Sequence, residues 1–140
     1  RSRRRRKRAM GHSTRQIDRR YARSPLRVFS HVVRRKYPLS DLYWTIRQLR
    51  SFRQLCDEGE AMQHCVASYD DECHTGTSSI WSMRCHDVEG NHRRLTVEVL
   101  PRRGLINEAL GFDNRQATSE EREILQRWAK SERLKLAPWI

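Results

Sequence analysis

SSIWSMRCH (Ser78–His86), RRLTVEVL (Arg93–Leu100) and LINEAL (Leu105–Leu110) are three short segments in which apolar and polar side chains alternate. A period of two places successive side chains on opposite faces of a pleated strand, so each segment predicts a strand with one buried face. The separators Glu89-Gly90-Asn91 and Pro101 to Gly104 carry turn residues, and connections this short join antiparallel neighbours. Together they predict an antiparallel meander on which the flanking elements must pack.

Toward the N-terminus, Tyr43-Trp44-Thr45-Ile46 is aromatic and β-branched and reads as a further short strand. Ser51 and Gln54 stand at capping-box spacing and open a helical run through Leu55 that Gly59 interrupts. A second run, Glu60 to His74, places Ala61, Cys65 and Tyr69 four apart with Met62 and Val66 beside them, and Gly76 stops it. Toward the C-terminus, Thr118 and Glu121 cap a last helix whose inward stripe is Ile124, Leu125, Trp128 and Ala129. The expected fold class is α+β: a small antiparallel β-meander packed by helices on one face, with a basic N-terminal helical or disordered arm.

That arm dominates the electrostatics. Residues 1–36 hold fifteen Lys and Arg against the single Asp18, a net +14, whereas residues 37–140 hold 14 basic and 16 acidic side chains, a net −2. The run Arg3-Arg4-Arg5-Arg6-Lys7-Arg8 repels itself and has no apolar surface to bury. From Ser13 to Lys36 the apolar residues recur at mixed helical spacings, and Pro25 stands where a second helix would begin after Ser24 as its N-cap, so two short basic helices are expected before Tyr37-Pro38 ends the run. The chain is thus divided at 36/37 into an arm, 1–36, and a compact α+β domain, 37–140. The natural partner of the arm is a polyanion, with nucleic acid ahead of an anionic membrane surface, because each neutralised phosphate releases a counterion. The phosphate contacts would come from Arg3, Arg4, Arg5, Arg6, Lys7, Arg8, Arg15, Arg19, Arg20, Arg34, Arg35 and Lys36.

No run of 18 apolar residues and no apolar segment after the N-terminal charges is present, which predicts neither a membrane span nor a secretory signal and places the chain in the cytoplasm. Cys56, Cys65, Cys73 and Cys85 are expected as reduced thiols. Residue 1 is Arg rather than Met, which reads as a trimmed or partial product.

Alternation on the second meander strand sends Leu95, Val97 and Val99 to one face and Arg94, Thr96 and Glu98 to the other, while the first strand sets Arg84 and His86 on that same polar face. A base, a proton donor and a cation are what a metal-independent ribonuclease needs, although an ordinary solvated sheet face would carry the same residues. In the His64-Cys65 pair, Cys65 reads as a buried small hydrophobe on the Ala61/Tyr69 stripe and His64 as the functional member. The doublets His64-Cys65, Cys73-His74 and Cys85-His86, with Cys56, leave a structural zinc module as a third reading, though their spacing matches no closed zinc motif. No Gly-rich phosphate loop or nucleophile elbow is present, and no cofactor is implied.

The order Glu58-Gly59-x-x-Met62-x-His64-Cys65-Val66-x-x-Tyr69, Gly76 with Ile80 and Arg84, Thr96-x-Glu98, and Gly111-x-x-Asn114-Arg115 resembles the PcfJ-like family of plasmid- and mobile-element-borne bacterial proteins over about residues 43–130. The resemblance implies that His64, Tyr69, Arg84, Thr96, Glu98 and Asn114 gather into one site. It departs at Glu108, where the family more often has Gln. It also implies a nucleic-acid setting for DNA transfer, defence or RNA-guided machinery, and a larger nucleoprotein complex as a further partner. The expected function is therefore nucleic-acid binding, RNA or DNA, through the arm. The alternative is a metal-independent ribonuclease using His64, Arg84 and Glu98.

Overall fold

The computed structural model describes residues 19–36 and 40–140. Its centre is one six-stranded sheet in the order β1 (Phe29–Arg35), β2 (Ser40–Leu49), β3 (Ser79–Asp87), β4 (Gly90–Leu100), β5 (Leu105–Leu110) and β6 (Lys135–Leu136). Every neighbouring pair is antiparallel except β5 and β6, which run parallel. The expected meander is β3–β4–β5, and β2 extends the Tyr43–Ile46 strand in both directions.

Three helices cover the sheet: α1 (Phe52–Met62), α2 (Asp70–Thr75) and α3 (Ser119–Glu132). They lie on both faces rather than on one. On one face the stripe Ile124, Leu125, Trp128 and Ala129 of α3 packs on Leu42, Trp44, Ile46, Trp81, Met83, Leu95, Val97 and Val99. On the other, Leu55, Val66 and Cys73 pack on Leu49 and Ile80 with Tyr21. A sheet this apolar on its first face and partly apolar on its second requires a layer on each side.

The helices expected across 13–36 are not found from Arg19 to Lys36, and residues 13–18 lie outside the described ones. Phe29, Val32 and Val33 fit a half-buried pleated strand better than a helix once β2 offers its edge. β1 pairs along its whole length, Phe29 opposite Ile46 and Arg35 opposite Ser40. Tyr21 is buried and donates its hydroxyl to Asp70 Oδ1 at 2.6 Å. The folded body therefore reaches back to Tyr21, on the N-terminal side of the expected division at 36/37.

The long helix expected over Glu60–His74 is also absent. α1 runs through Gly59 without interruption and stops at Met62, Gln63 adopts a left-handed conformation (φ 53°), and a 3-10 turn (Val66–Tyr69) precedes α2. Gly59 is the reason the chain can turn here. His64 N–H donates to the Gly59 carbonyl at 3.0 Å, and a Cβ on Gly59 would stand 2.9 Å from the His64 carbonyl oxygen. Its role is close approach rather than helix breaking. Gly59→Ala should therefore cost about 1 to 3 kcal/mol and displace His64, a cost of overpacking that chemical denaturation would read directly. An unchanged midpoint would show that the turn relaxes freely.

Candidate functional site: a cleft between the sheet and the turn after α1

Glu58 organises the second face. It sits on α1 at the spacing Leu55, Glu58, Gly59, Met62, which is the buried stripe of that helix, and is itself fully buried. A carboxylate there must be hydrogen-bonded and paired. It accepts from Ser82 Oγ (3.0 Å), Thr96 Oγ1 (2.7 Å) and Arg93 Nε (3.0 Å), and Arg84 Nη2 lies 4.0 Å away. Arg84 Nε also donates to Ser82 Oγ at 3.2 Å.

His64 joins this network through Thr96, with Nε2 2.8 Å from Thr96 Oγ1. Thr96 has a single hydroxyl proton, and it is donated to Glu58 Oε2. Thr96 Oγ1 can then only accept from His64, through Nε2–H. Nδ1 is buried and has no hydrogen-bond partner among the described residues.

Beside His64 opens a cleft of about 220 Å³, lined by His64, Cys65, Ser68, Tyr69, Thr96, Glu98, Glu108 and Asn114 with Val66, Ile80 and Leu110. Glu98 accepts from Ser78 Oγ at 2.8 Å and Asn107 Nδ2 at 2.9 Å, and Tyr69 donates to Glu108 Oε2 at 3.3 Å. Burial, then the carboxylates Glu98 and Glu108, push the Tyr69 phenol up to about 12, so it is a neutral donor over the working pH range. Glu98 and Glu108 stand directly opposite on β4 and β5, and neither Lys nor Arg is among the described residues that line the cleft.

Five of the six expected site residues thus share one cleft: His64, Tyr69, Thr96, Glu98 and Asn114. Arg84 is on the same sheet face but turns toward Ser82 and Glu58 and does not line it. Two expectations are corrected. Cys65 is exposed in the turn, not buried on a helical stripe, because the helix ends before it. Arg94 is on the α3 face, where its guanidinium lies 5.1 Å from the Trp44 ring centroid and its Nε donates to Glu121 at 2.7 Å. A bulge causes this: Met83 pairs with Leu95 but Arg84 with Arg93, so one extra residue reverses the alternation and brings Arg93 to the polar face. Glu58 and Arg93 were missing from the expected site. An acidic residue inside the apolar stripe Leu55/Gly59/Met62 was the legible sign of the first.

The Cys/His doublets do not converge. Cys73 and Cys85 are buried in clusters on opposite sheet faces, and no group of three or more His, Cys, Asp and Glu among the described residues is arranged to hold a metal ion. No helix among the described residues is long and apolar enough to cross a membrane. Of the expected phosphate contacts, Arg19, Arg20, Arg34, Arg35 and Lys36 are exposed, while Arg3 to Arg8 and Arg15 lie outside the described residues.

A family model described as PcfJ-like protein matches residues 3–125. The chain belongs to the PcfJ-like family. The match starts at residue 3 and so takes in the basic segment, which the motif resemblance over 43–130 did not reach. No curated protein and no solved structure matches the chain. Within this PcfJ-like chain the Gly111-x-x-Asn114-Arg115 motif divides into two roles. Asn114, with φ 60°, lines the cleft. Arg115 folds under Gly111, whose Cβ would fall 2.4 Å from the guanidinium carbon, and pairs with Glu121 through Nη1–Oε1 at 2.8 Å and Nη2–Oε2 at 2.9 Å. Glu121 is the N3 residue of the Thr118 capping box, so this motif fastens the start of α3 to the rim of the cleft.

Proposed function

We propose that this PcfJ-like chain is a nucleic-acid-binding domain that grips the phosphate backbone through its basic N-terminal segment, in the service of a mobile-element, defence or RNA-guided system. The observation that carries the reading is the segregation of charge: a net +14 in residues 1–36 against −2 in the rest. Such a distribution favours a polyanion with evenly spaced charges, since many cheap phosphate contacts add without reading sequence. All seven Lys and Arg from Arg19 to Lys36 are exposed, and the Arg35–Glu120 ion pair at 3.4 Å is itself exposed and easily exchanged for phosphate. Deleting residues 1–8 tests the reading. The slope of log affinity against log salt should fall by several units, about one for each phosphate that the shortened chain leaves unneutralised. A truncated chain with the same affinity and slope would make the segment a protein-docking or solubilising element instead.

A second reading, a metal-independent ribonuclease, is favoured by one observation: His64 and Glu98 share the cleft. A base there would take the 2′-hydroxyl proton, the 2′-oxygen would attack phosphorus, and the departing 5′-oxygen would receive a proton, leaving a 2′,3′-cyclic phosphate. The same cleft carries Glu108 opposite Glu98 with neither Lys nor Arg among the described residues that line it, so those residues offer a phosphodiester negative charge without a guanidinium or ammonium to offset it. Binding is therefore the better-supported reading. RNA cut in the presence of chelator to cyclic-phosphate ends, with DNA spared, would reverse that order.

A further inference from the structure

α1 and the turn after it cover only part of the second sheet face. They sit over Leu49, Ile80, Ser82 and Thr96. Toward the other end of β2, Leu42, Trp44 and Ile46 point into the α3 core, so Tyr43, Thr45 and Arg47 stand on the opposite, open face. Their β3 partners are His86, Arg84 and Ser82. Tyr43 is 50% exposed, and Val32, its partner on β1, is 43% exposed.

We propose that this open half of the sheet is a second nucleic-acid contact, specific for single strands, with Tyr43 as the platform for a base and Arg47, Arg84 and Arg93 as the phosphate contacts. The inference rests on the nucleic-acid reading above and adds a place and a substrate class to it. Charge complementarity is its first support. Arg84 and Arg93 share one carboxylate, the buried Glu58, and Arg47 stands opposite Ser82 beside them. Burial first, and then the neighbouring guanidiniums of Arg93 and Arg47, depress the Arg84 pKa, with Glu58 opposing them. Arg47 is exposed and pairs with no carboxylate among the described residues. Arg84 and Arg93 point one edge of the guanidinium at the sheet, and a planar fork with five N–H donors keeps others for a phosphate.

The aromatic ring is the second support. A large exposed ring beside an exposed Val on an open sheet face is poor surface for water but a good stacking face. Bases in a duplex have both faces covered by their neighbours, whereas an unstacked base can lie on such a ring, whatever its identity. An acidic peptide would use the arginines but has no need of Tyr43.

The test uses the whole chain and a short labelled oligonucleotide of mixed sequence, single-stranded or annealed to its complement, with Tyr43→Ala and Arg47→Ala as variants. Both side chains are exposed, so both variants keep the fold. Tyr43→Ala should weaken single-strand binding about 5- to 100-fold while leaving duplex binding unchanged. Arg47→Ala should lower the single-strand salt slope by about one. If the parent chain binds single strands and both variants bind them equally well, the sheet is not the contact and the basic segment acts alone. If polyglutamate displaces the oligonucleotide as readily as unlabelled single strand does, the surface is a docking site for acidic protein and the proposal falls. A parent chain that binds no nucleic acid even at low salt overturns this inference together with the reading beneath it.

Discussion

Glu58→Ala should destabilise the domain by about 3 kcal/mol, measured as a shift in the chemical unfolding midpoint, because it removes a fully buried carboxylate from two buried hydroxyls and a half-buried guanidinium. Glu58 accepts hydrogen bonds from Ser82, Thr96 and Arg93 and faces Arg84, so one truncation leaves two hydroxyls and a guanidinium without their acceptor. The loss is a large share of the roughly 5 to 15 kcal/mol that holds a typical domain together. It also reaches the cleft. Thr96, no longer turned toward Glu58, can offer its hydroxyl proton to His64 and change which ring nitrogen carries the hydrogen. Thr96→Val, which removes the link and retains the shape, should leave Glu58 paired with Arg93 and cost less. If Glu58→Ala unfolds within about 1 kcal/mol of the parent, water replaces the carboxylate and the network is not what holds α1 to the sheet.

Glu121→Gln should have a comparable effect with a distinct pH signature. Burial raises the Glu121 pKa, but hydrogen bonds from Arg115, the Thr118 N–H and Arg94 more than offset it and hold the carboxyl at about 2, against 4.5 for a free Glu. Its folded-state pKa is depressed, so its contribution to stability is fully present above pH 4.5 and is lost as pH falls toward 2. Linkage puts that contribution at roughly 3 kcal/mol. In Glu121→Gln the stability above about pH 5 should drop and the acid limb between pH 4.5 and 2 should flatten. Equal acid limbs in the two proteins would mean that other carboxylates carry the acid sensitivity. Because Glu121 is also the N3 partner of Thr118, the same change frays the start of α3.

Local rules make part of this fold legible in the sequence, and tertiary ones hide the rest. Over residues 80–83 and 95–99 the alternation is legible because Trp81, Met83, Leu95, Val97 and Val99 meet the apolar α3 core while the polar Ser82, Thr96 and Glu98 lie on the other face. The Thr118/Glu121 capping box is reciprocal in the structure, as its spacing predicts. The gathering of His64, Tyr69, Thr96, Glu98 and Asn114 came from a motif pattern rather than from periodicity. β1 reads as helix from sequence because its Val and Phe residues have mixed spacing, and only the edge of β2 decides their conformation. The run from Glu60 to His74 keeps a helical period that the close packing of His64 on Gly59 overrides. Arg94 and Arg93 sit on the faces opposite to those that alternation predicts, because a single-residue bulge leaves no mark in the pattern of side chains. Glu58 does leave one, since a carboxylate inside an apolar helix stripe demands buried partners.

Whether this chain meets a phosphate backbone through its basic segment is decided by a salt titration of the intact chain. Binding to duplexes of unrelated sequence should fall linearly in log affinity against log salt, with the same slope of several units for each sequence, as counterion release requires. Binding that is absent at low salt, or that is insensitive to salt, would contradict it.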